Sequence, residues 1–397
     1  MMSVWSSLVG QDAAVAKLSE AAASARAIVA SRGSGHATDE ARSMSHAWLI
    51  TGPPGSGRSV AARAFAAALQ CTGETPGCGA CPGCRTTMGR TNADVLFAAT
   101  ETSIINVDTA RSLVLQAQSS PSQGLWRVIV VEDADRLGES GANALLKAIE
   151  EPPEHTVWLL CAPSPEDMIA TIRSRCRHLG LRIPTATAVA DLLVREGVAT
   201  PDVALEAARA AQSHIGLARA LARDPQMRER RRNIITAPAS VRSVGEAVMA
   251  ADRLLETAKA QADAQVSERN AQEKAELMRQ LGMDEGESAT KASRTMLRQL
   301  EEDQKRRSKR ALTDAIDRAL IDLLAIYRDV LMVQVGGDGE LINTDLSELV
   351  HQIAHDSTPH QTLARVDHIE TARKRLVANG NPLLVLEDMA ISLRPQA

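Results

Sequence analysis

Aromatic residues are scarce in this chain of 397 residues, where tryptophan, tyrosine and phenylalanine together make up 2%. Because 44% of the residues are hydrophobic, a sizeable core is available, and it must be built from leucine, valine, isoleucine and alanine. No run of 18 apolar residues occurs, which excludes a membrane-spanning helix and predicts no membrane partner. The first residues lack a charged segment followed by an apolar one, so we expect no secretory signal and a cytoplasmic location.

Charge of one sign is not in excess either. Lysine and arginine number 45, and aspartate and glutamate number 49, which leaves a formal charge of −4. This balance argues against a protein that holds nucleic acid through net charge alone, although a local basic face remains compatible with it. Only six cysteines occur, and in a reducing cytoplasm thiols or metal ligands are favoured over disulfides. The length suits two or three domains.

Short apolar runs alternate with helical patterns over the first half of the chain. The runs at 47–50, 94–98, 128–131 and 157–161 are too short for buried helices, and helical patterns separate them. Strand–helix alternation of this kind is typical of an α/β domain whose parallel sheet is covered on both faces. We therefore expect such a domain over residues 1–184.

Beyond the α/β domain the pattern becomes helical throughout. Residues 185–223 indicate a small helical domain, and residues 224–397 indicate a second all-helical one. Residues 256–310 are highly charged and poor in large apolar side chains, which favours long exposed helices over a partly disordered excursion. The basic run 305–310 is compatible with a nucleic-acid contact or with a solvated helix end balanced by the acidic residues 301–303.

A glycine-rich segment follows the first apolar run and precedes a helical pattern. Its layout matches the phosphate loop G-x-x-x-x-G-K-[ST], in which backbone N–H groups and a helix N-terminus hold phosphate oxygens. Arginine stands at the lysine position, and this exchange is not conservative because a forked guanidinium replaces a compact charge. We expect a site for ATP and Mg²⁺, with a ligand-free turn as the alternative. The predicted nucleotide-binding residues of the loop are Gly52, Pro53, Pro54, Gly55, Ser56, Gly57, Arg58 and Ser59.

The apolar run 128–131 ends in two carboxylates, which are the usual companions of a phosphate loop. Glu132 stands where an aspartate would hold Mg²⁺, and Asp133 stands where a glutamate would orient the attacking water. The two side chains are thus swapped in length, and Asp133 is one methylene shorter than a glutamate. A solvated acidic turn is the competing interpretation.

Four of the six cysteines lie close together, with glycine and proline between them in the spacing C-x6-C-x2-C-x2-C. Glycines permit tight turns that direct two thiolates toward one ion, and four thiolates suit tetrahedral Zn²⁺ in a structural site. An iron–sulfur cluster is the rival, but the trailing C-x3-C-P of ferredoxin-type sequences is missing. Cys161 and Cys176 lie apart and are expected to be buried structural thiols. The predicted metal ligands are Cys71, Cys78, Cys81 and Cys84.

Together these motifs resemble the clamp-loader subunits of bacterial DNA polymerase III, a branch of the AAA+ class. The segment 8–11 (Leu-Val-Gly-Gln) resembles the family's V-G-Q box, and 46–49 leads into the phosphate loop as in that family. The four-cysteine insert follows the first helix, as in bacterial loader subunits. Residues 143–155 and the Ser-Arg-Cys segment within 171–176 match the family's most recognisable stretches. The resemblance covers about residues 5–220.

The resemblance implies a P-loop AAA+ domain with a zinc insert at 71–84, an all-helical lid over 185–223 and an all-helical C-terminal collar domain over 224–397. Within the family the chain is more similar to the stationary delta-prime type than to the gamma/tau ATPase type. Ala162 and Pro163 replace the polar sensor that motor subunits direct at the γ-phosphate. With the arginine in the loop and the swapped carboxylates, three parts of the hydrolytic apparatus are altered. We therefore expect weak or absent ATP hydrolysis by the chain itself.

The same resemblance implies roles for four cationic residues. Arg175 would be an arginine finger that enters the ATP site of a neighbouring subunit, and Arg219 would sense nucleotide from the lid. Arg111 and Lys147 match positions that face duplex phosphates inside the loader ring. A surface arginine closing a loop is the alternative for Arg175, and a solvated helix face is the alternative for the DNA-facing pair.

The implied partners are gamma/tau ATPase subunits and a delta subunit in a hetero-oligomeric ring, together with the sliding clamp and primed DNA. Such a chain would be part of the DNA polymerase III holoenzyme. Two other functions remain open at this point. One is an active ATPase motor subunit of the gamma/tau kind, and the other is a zinc-stabilised DNA-binding module with a vestigial nucleotide site.

Overall fold

The computed structural model describes residues 3–31, 43–98, 105–281 and 291–394. Contacts divide the chain into two compact units, Met1–Arg219 and Ala220–Ala397. Within the described ranges, no helix combines the length and the apolar character that crossing a bilayer requires.

The first unit is built on a parallel sheet. The described strands are β1 (Ala47–Thr51), β2 (Val95–Ala98), β3 (Arg127–Val131), β4 (Thr156–Ala162) and β5 (Arg177–Gly180). They lie in the order β2-β3-β4-β1-β5, and every neighbouring pair is parallel. This arrangement confirms the predicted α/β class and places the carboxyl ends of β1, β3 and β4 on one edge of the sheet.

Both faces of the sheet are covered by apolar side chains. Every residue of β1 and β4 is buried, so these strands show no alternation of exposed and buried positions. Trp48 packs edge-on against Phe65 at 5.3 Å on one face, whereas Trp158 belongs to the core on the other face. The helices of this unit are α1 (Asp12–Ser31), α2 (Arg58–Leu69), α3 (Pro82–Met88), α4 (Val107–Ala117), α5 (Glu139–Glu150), α6 (Ala170–Arg173), α7 (Ala186–Arg195), α8 (Pro201–Ala210) and α9 (Ile215–Arg223), the last of which crosses the boundary between the units.

Strand β5 is a feature that the apolar runs did not predict. It lies at the edge of the sheet beside β1, and Leu179 is its one buried residue. Arg177 stacks on the ring of Trp48, with 4.9 Å between the guanidinium carbon and the ring centroid. An exposed edge strand needs no apolar run, which explains why the pattern gave no signal.

The second unit is helical wherever it has regular structure in the described ranges. Its elements after the crossing helix are α10 (Pro225–Ser240), α11 (Val244–Gln280), α12 (Lys291–Gln334), α13 (Ser347–Asp356), α14 (Pro359–Val377) and α15 (Pro382–Ser392). One core joins α10 through α15, with Leu320, Ile326 and Val330 of α12 near its centre. A buried ion pair fastens α10 to α12, where Arg231 donates to Asp322 at 3.0 Å.

The charged segment 256–310 lies in the long helices α11 and α12, except that residues 282–290 fall outside the described ranges. The two helices pack against each other. Arg307 of the basic run reaches across to Glu273 at 2.8 Å and to the Asn270 side chain at 2.7 Å. Part of that run is therefore engaged within the helix pair.

Candidate nucleotide and metal sites

The phosphate loop connects β1 to α2 and depends on glycine at three positions. Gly55 and Gly57 have φ angles of +89° and +90°, which side chains rarely adopt. A Cβ atom on Gly52 would lie 2.5 Å from Ser56 Oγ and 2.9 Å from the carbonyl oxygen of Leu181. The Ser56 hydroxyl is buried and has no hydrogen-bond partner in the described part of the chain. The loop thus has the backbone shape of an anion cradle and an unsatisfied polar atom beside it.

Arg58, which stands at the lysine position, turns back on its own loop. Its guanidinium donates a hydrogen bond to the carbonyl oxygen of Gly52. Ser59, the last of the predicted nucleotide-binding residues, is partly buried on the first turn of α2. The cation that a bound phosphate would need is therefore engaged with the backbone.

Gln11 is hydrogen-bonded to the phosphate loop, a role that the sequence motif alone did not assign. Its side-chain amide is buried and donates to the carbonyl oxygens of Ser56 at 3.3 Å and Arg182 at 2.6 Å. Its side-chain oxygen accepts from the Arg182 N–H at 3.2 Å. Gln11 therefore links the phosphate loop to the segment that follows β5.

The start of α9 lies against the loop. A Cβ atom on Gly55 would come within 2.9 Å of His214 Cα, so the close approach itself requires glycine there. The His214 ring caps α9, because its Nδ1 accepts a hydrogen bond from the Leu217 N–H at 3.2 Å. Any phosphate held by the loop would lie near this helix start.

The acidic end of β3 is occupied by an arginine of the same chain. Arg90 Nη2 lies 2.6 Å from Glu132 Oε1, and the Glu132 side chain is only 11% exposed. Arg63 of α2 is also close, since burial first and then the Arg90 charge lower the pKa of Arg63, while Glu132 opposes the shift. Glu132 thus has cationic side chains around it, and a Mg²⁺ ion would compete with them.

Asp135, two residues after Asp133, is influenced by the charge of Arg58 in the phosphate loop. Burial raises the pKa of Asp135, the neighbouring Asp133 raises it further, and the charges of Arg136 and Arg58 oppose the rise. Asp133 and Asp135 therefore lie close enough to repel each other within reach of the Arg58 charge. Sequence reasoning identified Asp133 but gave no role to Asp135.

The last residue of β4, Ala162, and the next residue, Pro163, offer no polar side chain. Ala162 is buried, and the Pro163 carbonyl accepts a hydrogen bond from the Gly52 N–H at 3.1 Å. Ser164 is engaged in capping a short helical turn, where it donates to Glu166 at 2.7 Å.

Arg219 and Arg175 both form ion pairs within the first unit. Arg219 of α9 binds Glu196 with two nitrogens, at 2.8 and 2.9 Å. Arg175, just after α6, is 38% exposed in its side chain, pairs with Glu150 and donates to the Thr171 carbonyl at 2.8 Å. Each would have to exchange a carboxylate for a phosphate in order to act on nucleotide.

The two predicted DNA-facing residues lie on helices that pack together, α4 and α5. Arg111 is exposed, and Asp108 one turn away lies 3.8 Å from it. Lys147 is also exposed and has no ion-pair partner in the described part of the chain. Both cations are therefore available to solvent on neighbouring helices.

The four predicted metal ligands meet at one point. The sulfur atoms of the cluster Cys71, Cys78, Cys81 and Cys84 all lie within 4.8 Å of one another. Cys71 and Cys81 have their Sγ atoms 3.8 Å apart, close to the roughly 3.8 Å edge of a tetrahedron with metal–sulfur bonds of about 2.3 Å. This donor set fits tetrahedral Zn²⁺.

The thiols of the cluster differ in how readily they ionise. Burial disfavours the Cys81 thiolate, but hydrogen bonds from the backbone of Cys84 and from Thr72 outweigh it and lower the pKa of Cys81 to about 5. Burial, together with the neighbouring sulfurs Cys81 and Cys71, raises the pKa of Cys84 far above its ordinary value. The four thiols therefore cannot all ionise near neutral pH unless a positive ion lies among them.

The cysteine loop is fastened to the start of the chain. The carbonyl of Gly77 accepts from the Val4 N–H and from the Ser3 hydroxyl, both at 3.0 Å. Arg26 of α1 donates to the carbonyls of Glu74 at 2.7 Å and Cys71 at 2.9 Å. The remaining two cysteines, Cys161 and Cys176, lie outside the cluster, and burial raises the pKa of each to about 12.

The chain is similar to known proteins over part of its length. Residues 36–185 match the family described as "DNA polymerase III, delta subunit". The chain is 36% identical over 173 residues to the DNA polymerase III gamma/tau subunit of Mycobacterium tuberculosis, which covers 41% of this chain and 29% of that protein. It is 35% identical over 182 residues to the delta-prime subunit of Escherichia coli, which covers 44% of this chain and 54% of that protein.

A delta-prime subunit of Pseudomonas aeruginosa is likewise 35% identical, over 41% of this chain and 50% of its own length. A solved DNA polymerase III gamma-subunit-related protein of Thermotoga maritima aligns with a TM-score of 0.43 and 16% identity, over 88% of this chain and 94% of that chain. The aligned part of the chain spans about half of the delta-prime relatives and under a third of the gamma/tau relative. The family match and these relatives support a clamp-loader AAA+ assignment for the part of the chain that they cover.

Proposed function

We propose that the chain is a largely stationary, delta-prime-like subunit of the bacterial DNA polymerase III clamp loader, acting in DNA replication. In this proposal residues 185–223 form the lid, residues 224–397 form the collar, and the collar holds the chain in a ring beside gamma/tau ATPase subunits and delta. The ring opens the sliding clamp around primed DNA. Zn²⁺ at the four cysteines stiffens the ATPase-like domain.

The observation that supports the proposal most is that charged side chains of the nucleotide site already have partners within the same chain. Arg58 is bonded to the Gly52 carbonyl, and Glu132 is paired with Arg90 at 2.6 Å. Ala162 and Pro163 offer no side-chain hydrogen bond to a γ-phosphate. A site whose cations and carboxylates already have partners gains less from binding and activating MgATP than one whose groups are free.

Arg175 supports the same proposal, because its position suits an action on the ATP site of a neighbouring subunit. Its side chain is 38% exposed at the end of α6, and its partner Glu150 is exposed as well. An exposed ion pair contributes little to stability, so its guanidinium can leave Glu150 at small cost. A neighbouring subunit's γ-phosphate would then replace one anionic partner with another of higher charge.

The test is a reconstituted ring containing gamma/tau and delta subunits, in which hydrolysis at the site next to this chain is measured by single turnover. We expect Arg175→Ala to leave assembly intact and to slow that site by about 10³-fold, the lower range for an arginine finger. The control is Arg173→Ala, which removes an exposed arginine two residues away. Full turnover in an assembled Arg175→Ala ring would refute the finger.

An active motor of the gamma/tau kind is the second candidate. The observation in its favour is the 36% identity to the gamma/tau subunit of Mycobacterium tuberculosis. It predicts steady-state ATP hydrolysis by the purified, zinc-replete chain alone, stimulated by primed DNA and abolished by Arg58→Ala. The stationary subunit predicts no such turnover.

A further inference from the structure

The second unit contains a cavity that the proposed function does not use. The cavity has a volume of about 400 Å³ and lies among α10, α12, α13 and α14. This volume falls in the roughly 300–1,000 Å³ range of small-molecule sites. Its apolar wall includes Pro238, Leu349, Ile353 and Leu393. Arg365 and Arg242 line the same space, so the cavity has an apolar wall and two cationic side chains in its lining.

Arg365 is the unusual member of this lining. It is only 7% exposed, yet in the described part of the chain it makes no hydrogen bond and no ion pair. Its guanidinium carbon lies 5.8 Å from the centroid of the Tyr327 ring. Among the described residues, this cation–π contact is the one favourable electrostatic interaction of the Arg365 side chain. A buried cation without an anionic partner is costly, and stacking on a tyrosine offsets only part of that cost.

The other polar groups of the wall do not satisfy Arg365. Asp356 lines the cavity, but its side chain is largely exposed and lies 3.1 Å from His355 instead. The Ser357 hydroxyl donates to the Ile353 carbonyl at 2.6 Å, and Thr236 donates to the Arg232 carbonyl at 3.0 Å. One turn before Arg365 on α14, the fully buried Thr362 hydroxyl also lacks a partner in the described residues.

We propose that this cavity binds a small organic anion, a carboxylate or phosphate ester with an apolar portion. The anionic group pairs with Arg365 and the apolar portion lies against Leu349 and Ile353. Arg242 adds a second positive charge to the lining of the cavity. The site requires neither nucleotide nor metal, so it stands or falls independently of the clamp-loader function.

Tyr327 makes the site directly observable, because it is the chain's only tyrosine and lines the cavity. The full chain is prepared with 3-fluorotyrosine, so that ¹⁹F NMR gives one signal from this ring. Benzoate, phenyl phosphate and inorganic phosphate are titrated separately at constant ionic strength. We expect a saturable shift with benzoate or phenyl phosphate, and the stronger of the two identifies the anionic group. Saturation by inorganic phosphate alone would overturn the apolar half of the proposal.

Two variants and a control decide the role of the arginine. We expect Arg365→Gln to abolish the saturable shift and Lys374→Gln, an equal loss of charge at an exposed site on the same helix, to leave it unchanged. Should Arg365→Gln fail to fold, Leu349→Phe fills the cavity while keeping the arginine, and it is expected to weaken benzoate at least tenfold. A Tyr327 signal that no probe moves, or that moves equally in Arg365→Gln or Leu349→Phe, would overturn the site.

Discussion

Arg90 Nη2 and Glu132 Oε1 lie 2.6 Å apart, and this ion pair joins the turn after α3 to the acidic end of β3. Arg90 stands two residues beyond α3, whose first turn carries Cys84. Its guanidinium also lies over the Phe97 ring, 5.0 Å from the centroid, so it contacts β2 as well. Arg90, which follows the helix that carries Cys84, therefore supplies the positive charge that Glu132 would otherwise take from a metal ion.

Replacing Arg90 is expected to free Glu132 for Mg²⁺. We predict that Arg90→Ala tightens Mg²⁺-dependent ATP binding by about tenfold, which corresponds to an interaction of roughly 1.4 kcal/mol. Isothermal titration with and without Mg²⁺ measures the change. Arg85→Ala, which removes an exposed arginine of α3, is the control. Equal affinities for the two variants would mean that Glu132 does not hold Mg²⁺.

The Arg58 exchange can be reversed. In Arg58→Lys a compact ammonium replaces the guanidinium that bonds to the Gly52 carbonyl, and it can meet phosphate oxygens as a point charge. We predict about tenfold tighter ATP binding than in the unmodified chain, and weaker binding in Arg58→Ala. Equilibrium dialysis with labelled ATP compares the three. Identical binding in Arg58→Lys and Arg58→Ala would show that the residue does not touch phosphate.

The cysteine cluster is predicted to hold one Zn²⁺ per chain. Cys78→Ser is expected to lose the metal and to lower the melting temperature by about 5 °C or more, since a closed thiolate site contributes directly to folding. Elemental analysis and calorimetry measure the two effects. Cys176→Ser, which removes a thiol outside the cluster, serves as the reference. Full zinc content in Cys78→Ser, or iron in place of zinc, would contradict the assignment.

Asp94 is predicted to make the first unit sensitive to acid. This fully buried carboxylate accepts from the backbone N–H groups of Ser122, Gln123 and Gly124 at 2.6–2.7 Å. Burial opposes its ionisation, but these hydrogen bonds outweigh it and hold the pKa of Asp94 below its ordinary value. Its stabilising contribution is therefore complete above about pH 4, the unfolded pKa, and is lost as the pH falls through the lower folded pKa.

Asp94→Asn provides the measurement. We expect it to lower the free energy of unfolding by about 2 kcal/mol at pH 7, and the difference from the unmodified chain to shrink below about pH 4. Urea unfolding at pH 7 and pH 3 gives both values. Asp108→Asn removes an exposed carboxylate of the same unit and should change neither. A difference that grows on acidification would show that the folded pKa is raised instead.

The sequence predicts what depends on local pattern. The apolar runs around Val130 and Leu159 locate two central strands, because a strand buried on both faces must be apolar throughout. The cysteine spacing likewise locates the cluster, since glycines between the cysteines permit the turns that bring them together. The phosphate loop is found for the same reason, because it is one contiguous segment.

Pairing between distant side chains is what the sequence does not reveal. The side chains that pair with Glu132 and Arg175 are Arg90 and Glu150, which lie 42 and 25 positions away along the chain. Nothing in a single sequence distinguishes an arginine that meets a carboxylate from one that meets solvent. Arg365 was missed for a related reason, since its burial follows from how α14 packs rather than from any motif.

The tryptophans and the tyrosine lie in different units, so a spectroscopic signal can be assigned to one unit. All four tryptophans, two of them the sheet residues Trp48 and Trp158, precede residue 219, whereas the one tyrosine, Tyr327, lies in the helical unit. Tryptophan emission excited at 295 nm therefore reports only on the α/β unit. Far-ultraviolet circular dichroism reports on the helices of both units, with the larger share from the long helices of the second. If the two signals change together during denaturation, the units unfold in one cooperative transition, and if they change separately, the units unfold independently. The comparison needs no added label.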